Sequence, residues 1–192
     1  MSSEKRKIAY IDGKPYEIGA NHTSILKFVK SYVGEKKVPT LCDDPNLAPY
    51  GACRVCSVEV ALEKDGPTKM VASCHTPVAE NQHIFTSNEA ITSLRKNIVE
   101  LVLTDHPMEC DSCEVNNNCE LQTVANDLGI SDHRYNSPKQ HKGIPRDTSH
   151  DYMRMNLDNW INCGRCVRVC DEIQGSFVLT MCGRGSASKI TT

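Results

Sequence analysis

The sequence predicts an α+β fold in three successive parts, and three observations carry that reading. Residues 1–87 hold short apolar runs punctuated by Asp12-Gly13 and Asp65-Gly66, both strong turn dipeptides. At Asn88 the apolar pattern changes to a helical period. Eleven cysteines fall in tight sets along 192 residues rather than singly. With 5% aromatic and 39% hydrophobic residues, the chain has thin material for one large core, so small units are expected.

In order, Ile8–Ile11 and Tyr16–Ile18 flank Asp12-Gly13 and read as a hairpin. Thr23 or Ser24 can cap a helix running to about Tyr32, whose buried face is Ile25, Leu26, Phe28 and Val29. A loop with Pro39, Pro45 and Pro49 follows. Ser57–Leu62 alternates like a strand, Lys69–Ala72 returns after Asp65-Gly66, and Ile84-Phe85 closes the set. Two hairpins around one helix suggest a β-grasp architecture. Asn88 then caps a helix with Ile91, Leu94, Ile98, Leu101 and Val102 at helical spacing. A loop from Thr104 to Asn118 leads to a second helix from Glu120 to Leu128, with Gly129 as its stop signal. Residues 136–151, rich in Pro, Gly, Lys and His, read as a linker. Residues 152–192 carry cysteines but too few apolar residues for a domain of their own.

Twenty-two basic and 24 acidic residues leave a net charge of −2, without the basic excess of a nucleic-acid or membrane-surface binder. Ile98–Leu103 is short and broken by Glu100, so no membrane insertion is expected. Met1 to Lys7 lead into a short strand rather than an apolar run, so the expected location is cytoplasmic. Without export, dense cysteine points to metal ligation rather than to disulfides.

The first set is Cys42, Cys53, Cys56 and Cys74, with the core Gly51-Ala52-Cys53-Arg54-Val55-Cys56. Two thiolates three positions apart, completed by one before and one after, follow the logic of a plant-type [2Fe–2S] site. Gly51 and Ala52 let backbone amides approach the sulfurs. Ten residues separate Cys42 from Cys53, where the plant-type loop has four. Four thiolates also suit structural zinc. The second set, His106, Cys110, Cys113 and Cys119, lies on one connection between two helices, where a single ion or a cluster could organise it. The third set is Cys163, Cys166 and Cys170 in Trp160-Ile161-Asn162-Cys163-Gly164-Arg165-Cys166-Val167-Arg168-Val169-Cys170, with Cys182 left over. It is one cysteine short of the bacterial ferredoxin run, and Trp160 stands where the first should be.

The order of these sets resembles the N-terminal iron–sulfur region of the large electron-transfer subunits shared by respiratory complex I, NAD-linked formate dehydrogenases and iron hydrogenases. Cys119-Glu120-Leu121-Gln122 and the run from Cys166 to Gly175 carry the likeness. Gly175–Thr180 with Gly183-Arg184-Gly185 is most similar to the formate dehydrogenase branch. The resemblance implies a [2Fe–2S] cluster on the first set and a [4Fe–4S] cluster on the second. It divides the chain into a [2Fe–2S] β-grasp domain (1–87), a helical [4Fe–4S] domain (88–135), a linker (136–151) and an incomplete ferredoxin-like segment (152–192). In the family a second ferredoxin motif commonly follows, and Thr192 precedes it, so either a fragment or a naturally short subunit is expected.

The function expected is an electron relay between a flavin/NAD(P) subunit and a catalytic oxidoreductase subunit, with no complete catalytic site in this chain. Formate dehydrogenase is the expected context, and a hydrogenase or complex I relay is the alternative. A zinc-stabilised interaction module remains open as a reading of a different class. A thiol enzyme is disfavoured, because the cysteines come in ligand sets and no base stands out beside one of them. Gly183-Arg184-Gly185 lacks the context of a nucleotide site and reads as a loop. Arg165, Arg168 and Arg184 read either as neighbours of sulfurs or interfaces, or as ordinary solvated side chains. Eleven cysteines and His106 would furnish ligands for a third [4Fe–4S] cluster on Cys163, Cys166, Cys170 and Cys182. The missing cysteine at 160 argues instead for two clusters, with the last forty or so residues poorly ordered or completed by a partner.

Overall fold

The computed structural model describes residues 6–135 and 143–192. The start of the expected linker, 136–142, lies outside the described residues. The chain forms two compact units, Met1–Asp43 with Pro49–Arg95, and Asp44–Ala48 with Lys96–Thr192.

The first unit is a five-stranded mixed sheet in the order β2-β1-β5-β3-β4, packed on helix α1. Strands β1 (Ile8–Ile11) and β2 (Lys14–Glu17) form the opening hairpin. Asp12 and Gly13 both adopt positive φ, 48° and 82°, as a two-residue hairpin turn requires. That tight turn forces pairing to begin at Ile11 with Lys14, so β2 starts two residues before the expected Tyr16. Pro15 is tolerated because β2 is an edge strand. Helix α1 (Ile25–Val33) is capped by Ser24, whose hydroxyl accepts from the Lys27 amide, and it buries Ile25, Leu26, Phe28 and Val29. Strands β3 (Ser57–Ala61) and β4 (Lys69–Ala72) pair antiparallel, and β5 (His83–Phe85) lies between β1 and β3, parallel to the former. The expected β3 overran by one residue, and Leu62 is exposed. The core of Ala9, Ile11, the α1 face, Val38, Val58 and Ile84 also contains Cys56 and Cys74.

Helix α2 (Glu89–Thr104) begins at Asn88, whose side chain accepts from the Ile91 amide at 2.8 Å. Its most buried stripe is Ile91, Arg95, Val99 and Leu103, a repeat of four. Leu94, Ile98 and Val102 are half-buried, and Leu101, expected on the apolar face, is exposed. The first two turns of α2 count with the first unit, which therefore extends past the expected boundary at 87 to Arg95.

In the second unit, α3 (Glu120–Asp127) buries Leu121, Val124 and Ala125 and ends where Gly129 turns with φ 65°. Helix α4 (Arg165–Val169) runs into a π-type turn over Cys170–Gln174, and β6 (Thr180–Cys182) pairs with β7 (Lys189–Thr191). The sequence pattern predicts no independent domain here, because apolar residues are few. Polar contacts fasten it instead: Asn162 Nδ2 donates to Ser188 O at 2.9 Å, and Arg165 Nη1 to Glu120 Oε2 at 2.6 Å. Among the described residues no helix is long and apolar enough to cross a membrane.

Candidate metal centres

The first cysteine set is assembled by the β3/β4 pairing and by the loop that precedes it. Ser57 faces Ala72 across the ladder, which puts Cys56 and Cys74, one and two residues beyond that pair, side by side. Ser73 locks the junction by donating its hydroxyl to Cys56 O at 2.7 Å. The two sulfurs lie 3.4 Å apart. Cys42 and Cys53 form the other pair, in which Cys53 N–H donates to Cys42 Sγ at 3.5 Å. Cys42, Cys56 and Cys74 are at most 2% exposed, and Cys53 is half-buried.

Within each pair a thiol hydrogen bond lowers one member, Cys42 or Cys56, to about 6, and raises the other. The lowered member of each pair is the more readily ionised, and the thiolate is the form that binds iron. The amides of Cys53 and Ala52 turn toward Cys42, and that of Gly51 toward Cys74. This is the approach of backbone to sulfur expected from those small residues. Gly51 sits at φ 68°, in the region that favours glycine. Arg54, a non-glycine at φ 63°, reverses the chain between Cys53 and Cys56, and its carbonyl accepts from both the amide and the hydroxyl of Ser57. Among the described residues, no three His, Cys, Asp or Glu side chains converge as a single-ion site would require. Two sulfur pairs, rather than one convergent quartet, suit a cluster that shares four thiolates between two irons.

One residue at this site has no signature in the sequence pattern. Arg95, from α2 and 5% exposed, donates from Nε to Val55 O at 3.2 Å and from Nη2 to Ser57 O at 2.8 Å. It thus grips the carbonyls on either side of Cys56.

The second set lies between α2 and α3. His106 follows the end of α2, with its amide donating to Leu103 O. Cys110 opens a single 3₁₀ turn, Cys113 closes it, and Cys119 is the N-cap of α3. All four line one cavity of about 460 Å³, together with Arg146, Asp158 and Ile161. The cavity has room for a cluster, and these donor types would serve either a cluster or a single ion.

The third set is less complete. Cys163 and Cys166 line a cavity of about 270 Å³ with Trp160, Asn162, Arg165 and Ile190. Cys170 and Cys182 are not among its lining residues. The arginines between these cysteines are not solvated bystanders. Arg165 reaches Glu120, beside Cys119. Arg168, 8% exposed, donates from Nε to Glu172 Oε1 at 3.0 Å and from Nη2 to Ala48 O, while Glu172 Oε2 accepts from Ala48 N–H at 2.8 Å. The two side chains grip both backbone groups of one residue in the long loop between Cys42 and Cys53.

Residues 8–89 match the model of a 2Fe-2S iron-sulfur cluster binding domain. Residues 95–134 match that of the NADH-ubiquinone oxidoreductase-G iron-sulfur binding region. The chain thus carries a 2Fe-2S cluster-binding domain followed by an NADH-ubiquinone oxidoreductase-G iron-sulfur binding region. It is 32% identical over 182 residues to the NADPH-Fe(3+) oxidoreductase subunit alpha of Geobacter sulfurreducens, across 95% of this chain and 20% of that one. It is 34% identical over 181 residues to the NADP-reducing hydrogenase subunit HndD of Solidesulfovibrio fructosivorans, across 91% and 29%. A solved NAD+-reducing [NiFe]-hydrogenase in the H2-reduced state superposes with a TM-score of 0.79 at 26% identity, over 96% of this chain and 74% of that one. The chain spans less than a third of the length of these curated relatives.

Proposed function

We propose that this chain relays single electrons between a flavin-bearing NAD(P) partner and a catalytic oxidoreductase unit. Cys42, Cys53, Cys56 and Cys74 would hold a [2Fe–2S] cluster, and His106, Cys110, Cys113 and Cys119 a [4Fe–4S] cluster. Each cluster, when bound, takes up and releases one electron at a time. The chain's own residues supply thiolates, amide hydrogen bonds to sulfur and burial. The observation that carries the reading is the arrangement of the first four sulfurs as two pairs, one of them within the apolar core.

The matched names agree on a nicotinamide nucleotide at one end and differ on the other, with ferric iron, ubiquinone or hydrogen chemistry. The NAD(P) side is therefore the better supported of the two. Formate as the terminal substrate rests on the wording of residues 175–185 alone. With only two cysteines facing the third cavity and Trp160 beside them, this chain carries two clusters and the third set does not close by itself. The test is purification from the native host with its partners, followed by addition of NADH or NADPH without oxygen. A brown complex whose visible absorbance bleaches supports the relay. A colourless zinc protein, or a brown one purified alone that no nucleotide-linked partner reduces, overturns it.

A further inference from the structure

The geometry points to Arg95 as the residue that positions Cys56 and sets the potential of the first cluster through its charge. This inference rests on the ligand reading above. Four observations converge on it. Arg95 is 5% exposed on the buried stripe of α2, where the pattern Ile91, Val99, Leu103 otherwise calls for an apolar side chain. Its guanidinium donates to Val55 O and Ser57 O, the two carbonyls that bracket Cys56, itself 1% exposed. Among the described residues no carboxylate pairs with it. Burial works against its charge.

A buried guanidinium without a carboxylate is costly unless another anion compensates it. Backbone carbonyls satisfy its hydrogen bonds but do not neutralise it. A two-iron cluster does, because four thiolates and two sulfides outweigh the charge of two ferric irons, and reduction makes the assembly more anionic still. A fixed positive charge beside Cys56 favours the reduced state and so raises the midpoint potential. Arg95 lies outside the matched 2Fe-2S domain, residues 8–89, and opens the next matched region at 95. The first centre therefore depends on a side chain delivered by the helix that leads to the second.

The experiment is a redox titration of the full reconstituted chain, followed by paramagnetic resonance, for the wild type, Arg95→Gln and Arg95→Lys. Arg95→Gln should lower the midpoint of the two-iron signal and leave the four-iron midpoint unmoved. Arg95→Lys, which keeps the charge but not the fork, should restore most of the shift. Selective loss of the two-iron signal in Arg95→Gln, with Arg95→Lys retaining it, is the same result in extreme form. An assembled two-iron cluster in Arg95→Gln with an unchanged midpoint overturns the inference. So does a shift as large in Arg95→Lys as in Arg95→Gln, or loss of both signals in both variants, which would make Arg95 a residue of the fold alone. If the unaltered chain shows no two-iron signal, the ligand reading fails instead.

Discussion

The first and second cysteine sets place four donors each, but they do so by opposite routes. Cys42, Cys56 and Cys74 are buried, and Cys56 and Cys74 belong to the apolar core between the sheet and α1. The second set hangs on a connection of half-buried and exposed residues, held by turns such as Cys113 N–H to Cys110 O and by Gln122 to Asn116 and Asn117. A scaffold that folds by burying apolar side chains can present ligands in advance. A polar loop around a cavity of about 460 Å³ gains most of its order from what fills it.

Iron removal should expose that difference most strongly. Chelation under reducing conditions should strip hydrogen-exchange protection from residues 106–119 while the β1–β5 sheet stays protected. Equal loss in both regions would contradict the contrast. Single ligands come next. Cys53→Ser should abolish or clearly alter the two-iron signal of the reduced chain and spare the four-iron signal, whereas Cys113→Ser should do the reverse. Loss of both signals in either variant would mean that the two centres do not assemble independently. His106→Cys is smaller in effect, because it replaces a neutral imidazole with a thiolate. If the cluster still forms, its potential should fall, as the raised potential of His-ligated Rieske centres implies. An unmoved potential would place His106 outside the ligand set.

The first two cysteine sets and the sheet were legible because their signals are local. Asp12-Gly13 dictates its own turn, Ser24 and Asn88 cap the helices they precede, and cysteine spacing is visible at short range. What escaped depends on distant acceptors. Arg95 resembles any helical arginine until Val55 and Ser57, about forty positions away, are brought beneath it. Arg168 reads as a solvated charge until Ala48 arrives from 120 positions earlier. The hairpin β6/β7 escaped because two three-residue strands carry too little alternation to register.

The smallest expected effect concerns the grip on Ala48. Glu172→Gln weakens the charge pairing with Arg168 and should speed exchange of the Ala48 amide, with little change elsewhere. The Ala48 amide, then Arg168, hold the Glu172 carboxyl below its ordinary range. A depressed carboxyl contributes stability above its unfolded pKa and loses it as pH falls through the folded value. The grip should therefore persist at neutral pH and release only in acid, below the usual glutamate range. Release near neutrality would contradict it.

Iron analysis of the carefully reconstituted full chain tests the two-centre account most directly. Two clusters require about six irons per chain, with one two-iron and one four-iron signal on reduction. About ten irons would show that Cys163, Cys166, Cys170 and Cys182 close a third cluster despite Trp160, and zinc in place of iron would contradict the relay altogether.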